Sequence, residues 1–279
     1  MHLNDIELAE KLKAKNICPN NNEKILYKYV NVGDAIKILD GCTLLYQAPV
    51  NFNDPFEMHL GLLDLKQSAK DSFWRTIPKN LTKVEIDFLL GKMPFEDFVR
   101  IIEDILANQR EKTGVLCLSK TNVSTLMWSH YSNKHTGVCL GFRMANNFPQ
   151  KGVAAFEVNY ATSVMPIKYN FGDGSDDISA FIYWICTKSH VWSYEQEVRV
   201  INIDQAGLLP FNKYQLCELY FGVGTTQEDV NLITDIIRNI GYRLYCIGKM
   251  FIDKNTFDLK PRYFHPYISD FPTKLPRNL

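Results

Sequence analysis

Strand-forming runs in this chain of 279 residues fall into two groups, and helical runs interrupt them without alternating one for one with the strands. A doubly wound parallel sheet needs that strict alternation, so the order of runs predicts an α+β fold. The first group holds residues 24–30 (KILYKYV) and 43–47; between them Asn31 is placed to cap a short helix, with Asp34 at its third position and Gly41 as its stop. Residues 66–110 read as helical, most clearly where Phe95, Phe98, Val99, Ile102, Ile105 and Leu106 recur at intervals of three and four. Strand patterns resume at 115–119, 137–142, 153–160 and 216–221, with a last one near 242–247. Helices are expected over 126–131, capped by Ser124, over 178–189, and from 226 on, where Val230, Ile233, Ile236, Ile237 and Ile240 share one side. No repeat, low-complexity tract or linker divides the chain. It reads as a single composite domain over 1–279: an arm (1–23), a core (24–65 and 113–250), a helical insertion (66–112) and a tail (251–279).

Lys plus Arg equals Asp plus Glu at 31 each, so no global positive field marks a non-specific nucleic-acid binder. The seven cysteines include no CxxC pair, which argues against a disulfide framework and against a thiolate zinc site. Neither a secretory leader nor a run of about 20 apolar residues occurs, and the sequence predicts a soluble, cytoplasmic protein with no membrane partner.

The run from Tyr194 to Ile201 reads as a strand. Alternation puts Glu195, Glu197 and Arg199 on one face, with Gln196, Val198 and Val200 on the other. Two carboxylates there mean either a solvated edge or carboxylates aimed into a cleft. In the segment from Ala48 to Glu57, each residue before a proline is held extended, so Asn53 and Asp54 project in fixed directions between Phe52 and Phe56, unless they only close a turn. Met127, Trp128, Ser129, His130 and Tyr131 end a capped helix; they either pack in the core or contribute to a site. His130, His135 and Cys139 match no zinc spacing, so no metal centre is assigned. Gly222-Val223-Gly224 lacks the third glycine of a dinucleotide fingerprint.

Three blocks carry a resemblance: Phe52 to Glu57, Leu126 to Tyr131 with His135 to Phe142, and Glu195 to Arg199. Together with Leu26 to Tyr29 they resemble the bacterial family catalogued as domain of unknown function 2971, over about residues 25 to 225. In the order of first strand, short helix, Gly41, second strand, Asp54-Pro55-Phe56 and a strand carrying Glu197, the chain is also similar to DarT-type toxins of the ADP-ribosyltransferase superfamily. That similarity implies an ADP-ribosyltransferase-like split β-sheet core with a helical insertion. It implies NAD as substrate, held between the first strand and the loop after the second, and Glu197 as the catalytic carboxylate with Glu195 in support. Lys28 or Tyr29 stands where the superfamily has a histidine or arginine. Tyr27, Lys28, Tyr29, Asn53, Asp54, Phe56, Ser129, His130 and Tyr131 are the expected NAD-binding residues, with Phe52 as a further stacking surface. The implied partners are an RNA, DNA or protein acceptor and a cognate antitoxin.

Cleavage of a nicotinamide–ribose bond passes through an oxocarbenium-like sugar, and a fixed carboxylate beside it favours that state over the ground state. Two rival readings stand beside this one. One is a metal-dependent hydrolase or nuclease using Asp54, Glu57, His130 and Glu197; the other is a non-catalytic nucleotide- or RNA-binding sensor.

Overall fold

The computed structural model describes residues 5–15, 25–65, 83, 87, 91–144, 153–169 and 174–264. Helix α1 (Asp5–Ala14) and strand β1 (Ile25–Val30) come first. Asn31 accepts the Asp34 amide on its side chain and caps helix α2 (Val32–Gly41), as expected. The helix stop differs: Gly41 is still helical, and Cys42 takes the left-handed conformation at φ 47°. The Cys42 sulfur lies 3.1 Å from the Tyr242 hydroxyl, a tertiary contact at a position where local propensity favours glycine.

Strands β2 (Thr43–Tyr46) and β3 (Leu63–Asp64), helix α3 (Phe95–Lys112) and strand β4 (Gly114–Ser119) follow. Helix α4 (Thr125–Tyr131) begins at Ser124, whose hydroxyl accepts the Met127 amide. Next are β5 (Val138–Arg143), β6 (Val153–Glu157), β7 (Asn159–Ala161) and β8 (Ile167–Lys168). The remainder comprises helix α5 (Gly174–Cys186), β9 (Thr187–Ser189), β10 (Glu197–Asn202), β11 (Gly207–Pro210), β12 (Leu216–Phe221), helix α6 (Gln227–Ile240), β13 (Cys246–Ile252) and β14 (Leu259–Phe264).

One eight-stranded sheet runs in the order β14-β13-β12-β5-β1-β4-β10-β6 and is mixed, since β12 and β13 pair in parallel while its other neighbours are antiparallel. The fold is α+β. Strand alternation sends Leu26, Leu116, Leu140, Val198 and Val200 to one face, where Ala35 and Leu39 of α2 and Val230, Ile233 and Ile237 of α6 complete a core. The opposite face carries two separate clusters. Trp128 of α4 packs with Tyr29, Cys139 and Tyr220, whereas the buried end of α5 and Phe98, Val99, Ile102 and Leu106 of α3 pack with Val115, Phe156 and Ile201.

The middle of the sheet forks. Tyr27 and Ser119 are the one register pair of β1 with β4, whereas β1 pairs with β5 along its whole length. Toward its start β4 changes neighbour, and Val115 forms a bridge with Gln47, just past β2.

Several boundaries depart from the sequence reading. Residues 153–160 form two strands: β6 joins the main sheet, while β7 pairs in parallel with β9. The helix expected over 178–189 ends at Cys186, so Lys188 lies on a strand. Strand β10 starts only at Glu197, because Gln196 is left-handed at φ 46° and Glu195 closes a 3-10 turn, His190–Glu195. It lies between β4 and β6 with every residue buried, which overturns the solvated-edge alternative. Ile105 is exposed rather than packed. Part of the segment assigned to the tail forms β14, antiparallel to β13. Most of residues 66–90, expected to be helical, lies outside the described residues. Among the described residues no helix is long and apolar enough to cross a membrane, and six cysteines are free.

Candidate active site

A cavity of about 740 Å³ opens in the fork, lined on one side by Tyr27, Lys28 and Tyr29 of β1 and on the other by Cys117 and Ser119 of β4. Its volume suits a small-molecule ligand, for which roughly 300–1,000 Å³ is usual. Lys28 spans the gap and donates through Nζ to the Cys117 carbonyl at 3.1 Å; among the described residues it forms no ion pair. The Tyr29 hydroxyl donates to the Thr121 carbonyl at 2.8 Å, which fixes its ring against Trp128.

One wall is a buried cluster of three carboxylates and two cations. Arg199, with no exposure, donates through Nε to Glu197 Oε1 at 2.9 Å and through a terminal nitrogen to Glu57 Oε2; its other terminal nitrogen donates to the Ile185 carbonyl. Phe52 covers the guanidinium, its ring centroid 5.1 Å away. The Lys188 ammonium lies 2.6 Å from Glu195 Oε2, 3.1 Å from Glu57 Oε1 and 3.4 Å from Glu197 Oε2, with the Trp192 ring 4.9 Å from it. Arg199, Glu57, Lys188 and Glu197 thus close a ring of alternating charge that is neutral overall. Glu195 is the surplus carboxylate. Its Oε1 accepts the Tyr131 hydroxyl at 2.5 Å, and its backbone carbonyl accepts the Ser119 hydroxyl at 2.6 Å.

The two glutamates differ in their hold on a proton. Burial alone would push the Glu197 carboxyl up, but the charges of Arg199 and Lys188 outweigh it and hold the group at about 2. Burial also pushes Glu195 up; Lys188 pulls against it without cancelling it, and the Glu197 charge adds to the rise. Burial, followed by its bond to Glu195, raises the Tyr131 phenol above its ordinary range, so Tyr131 stays protonated and donates.

Of the residues expected to bind NAD, Tyr27, Lys28, Tyr29, Asn53 and Tyr131 line the cavity together with Glu195 and Glu197. Four do not. Asp54 is buried beneath its own turn, where Oδ1 accepts the Phe56 amide at 3.0 Å, so the local-turn alternative describes it. Phe56 is 63% exposed and does not line the cavity. Ser129 lies on α4 outside the cavity, and His130 lines a second hollow that shares only Asn31 and Tyr131 with the first. Of the hydrolase quartet, Glu57 and Glu197 share cations and line the cavity, Asp54 accepts the Glu57 amide on its backbone carbonyl at 3.1 Å without lining it, and His130 lines the second hollow. Lys188 and Arg199 were not read as site residues. The buried position of Arg199 had a signal in its alternation with Glu197; Lys188 had none.

Gly222 and Gly224 serve close packing. A Cβ on Gly222 would stand 2.1 Å from the His135 carbonyl oxygen, and the Gly224 amide donates to that same oxygen at 2.9 Å. This places the glycines against the turn after α4, where Asn133, Lys134 and His135 all have positive φ.

Residues 127–200 match the family model described as a protein of unknown function (DUF2971). The matched segment runs from α4 into β10 and therefore contains Tyr131, Lys188, Glu195, Glu197 and Arg199, most of the charged wall; Lys28 and Glu57 come from outside it. The match is shorter than the span of about 25 to 225 expected from the sequence. No curated protein matches the chain, and no solved structure does.

Proposed function

We propose that this chain is an NAD-dependent ADP-ribosyltransferase that acts as a bacterial toxin or anti-phage effector on an RNA, DNA or protein acceptor, with a cognate antitoxin as its partner. The observation that carries the reading is the carboxylate pair at the fork: Glu197 is locked as an anion, and neighbouring Glu195 holds its proton more tightly. Environments that push two carboxyl groups apart in this way divide electrostatic and proton-transfer roles between them. On this reading the fork between β1 and β4 is the split of an ADP-ribosyltransferase-like sheet.

The residues present fit such a substrate. The cavity is large enough, Tyr29, Phe52 and Tyr131 offer aromatic faces, Asn53 offers an amide, and Lys28 supplies an ammonium that has no carboxylate partner among the described residues. During transfer the bond between C1′ of the ribose and the nicotinamide nitrogen breaks, and nicotinamide leaves with the electron pair. A bond from the acceptor atom to C1′ forms as the acceptor proton passes to Glu195. Glu197 stabilises the positive charge that develops on the sugar between these events.

The test is incubation of the protein with labelled NAD and a total lysate, followed by separate RNase, DNase and protease digestion. Label is expected in one macromolecular class and is expected to vanish with Glu197→Gln. Labelling by Glu197→Gln at the wild-type rate would remove Glu197 from the mechanism. Tight nucleotide binding without turnover would point to a sensor instead.

A further inference from the structure

Lys188 stands on β9, whose parallel pairing with β7 turns its side chain inward from the end of α5. It is 6% exposed, and burying an ammonium is costly unless every donor is satisfied. Its three N–H groups meet three carboxylates: Glu195, Glu57 and Glu197.

Arg199 already pairs with both Glu57 and Glu197, so those two anions have a cation without Lys188. Glu195 does not. Among the described residues Lys188 is the one cation in ion-pair contact with Glu195, and its grip on Oε2 leaves Oε1 for Tyr131. We propose that Lys188 is the positioning residue of this site: it aims the surplus carboxylate of Glu195 at Tyr131 and the cavity, and through Glu57 it fastens the loop after β2 to that arrangement. Its catalytic meaning rests on the function proposed above; its physical content does not.

The groups around Lys188 narrow the expected titration. Glu57, Glu195 and Glu197 touch it, and the Arg199 charge is close by. Tyr131 and Tyr160 bond to the two glutamates, to the Glu195 carboxylate and the Glu197 backbone amide, and burial holds both phenols protonated. Cys117 and Cys186 are kept as thiols by burial. Loss of the Lys188 charge therefore reaches Glu57 and Glu197, which keep Arg199, and leaves Glu195 with no contacting cation among the described residues.

The experiment follows the side-chain carboxyl carbon of Glu195 by NMR in the full chain labelled with ¹³C-glutamate, the signal being assigned by its loss in Glu195→Gln. In Lys188→Gln the Glu195 midpoint is expected to rise by about one pH unit or more, as loss of a contacting opposite charge requires. Lys188→Arg should bring it back toward wild type. An unchanged midpoint in folded Lys188→Gln would overturn the proposal. If that variant does not fold, the wild-type Lys188 ¹⁵N ammonium signal is read instead: it should move with the Glu195 midpoint and stay flat in Glu195→Gln, and a flat wild-type signal is the overturning result. These titrations need no substrate, so absence of NAD turnover counts against the proposed function alone. Where turnover is present, the acid limb of its pH profile should shift upward in Lys188→Gln along with the carboxyl midpoint.

Discussion

Arg199 Nε donates to Glu197 Oε1 at 2.9 Å from two residues along the same strand face, and the guanidinium has no exposure to solvent. Removing the arginine would leave Glu57 and Glu197 buried beside Lys188 with one cation fewer. Arg199→Met should therefore destabilise the fold by about 3–5 kcal/mol, the usual cost of stranding a buried partner. A lowered midpoint in urea denaturation with an unchanged slope would show it. A loss below about 1 kcal/mol would mean that the cluster is wetter than its geometry indicates.

Opposite outcomes are expected for the two glutamates. The Glu197 carboxyl is held near 2 against an ordinary 4.5, so between those values the unfolded chain binds more protons; stability from this group is present above 4.5 and is lost as pH falls toward 2. The Glu195 carboxyl is raised above 4.5, so its contribution is present below 4.5 and is lost as pH rises through the folded value. At neutral pH, then, Glu197→Gln should lower the thermal midpoint, and Glu195→Gln should leave it unchanged or raise it. Scanning calorimetry of both variants at neutral pH and near pH 4 decides this, and equal losses at neutral pH would contradict it.

Lys28 crosses the fork to a single backbone carbonyl and forms no ion pair among the described residues. If it meets an anionic group of the ligand, Lys28→Met should weaken NAD binding by about tenfold to a hundredfold, the range for a hydrogen bond to a charged group. Calorimetric titration measures this, with the thermal midpoint as a control for folding. Unaltered affinity would take Lys28 out of ligand contact.

Gly222→Ala places a methyl group 2.1 Å from the His135 carbonyl oxygen, and backbone on both sides must move. Gly224→Ala meets the Thr136 methyl at 3.1 Å, which a small side-chain adjustment relieves. The first should cost roughly 1–3 kcal/mol by overpacking and the second less. Equal thermal midpoints for the two would show that the turn after α4 yields freely.

Local signals explain what the sequence made legible. β1, β4, β5 and β12 are short apolar runs bounded by turns, and the Asn31 and Ser124 caps announce α2 and α4. Glu197 was legible because a carboxylate in such a strand stands out. Lys188 was not: Ile178 to Cys186 is apolar enough to carry a helical reading onward through Ser189, and the pairing of β9 with β7 that ends the helix is a long-range event. Asp54 and Phe56 illustrate the reverse error. Their flanking prolines and aromatics suggested a ligand-facing loop, and Phe52, Asn53 and Glu57 of it do line the cavity, but Asp54 Oδ1 accepts the Phe56 amide and Phe56 is left in solvent. Of the set Asp54, Glu57, His130 and Glu197, no three side chains gather into a metal-holding group among the described residues, and residue types alone carry no such spatial information.

The single pairing of Tyr27 with Ser119 gives the sheet a mechanical seam. Parting β1 from β5 would unzip a ladder running from Ile25 to Val30, whereas parting it from β4 breaks one register pair, the Lys28 bridge and the Tyr29 bond to Thr121 just past β4. Compliance is thus concentrated along one line, with Tyr131 and the α4 cluster on one bank and Arg199 with the α5 cluster on the other. The bond from Tyr131 to Glu195 spans that line, so whatever widens the seam also stretches the contact that aims the surplus carboxylate.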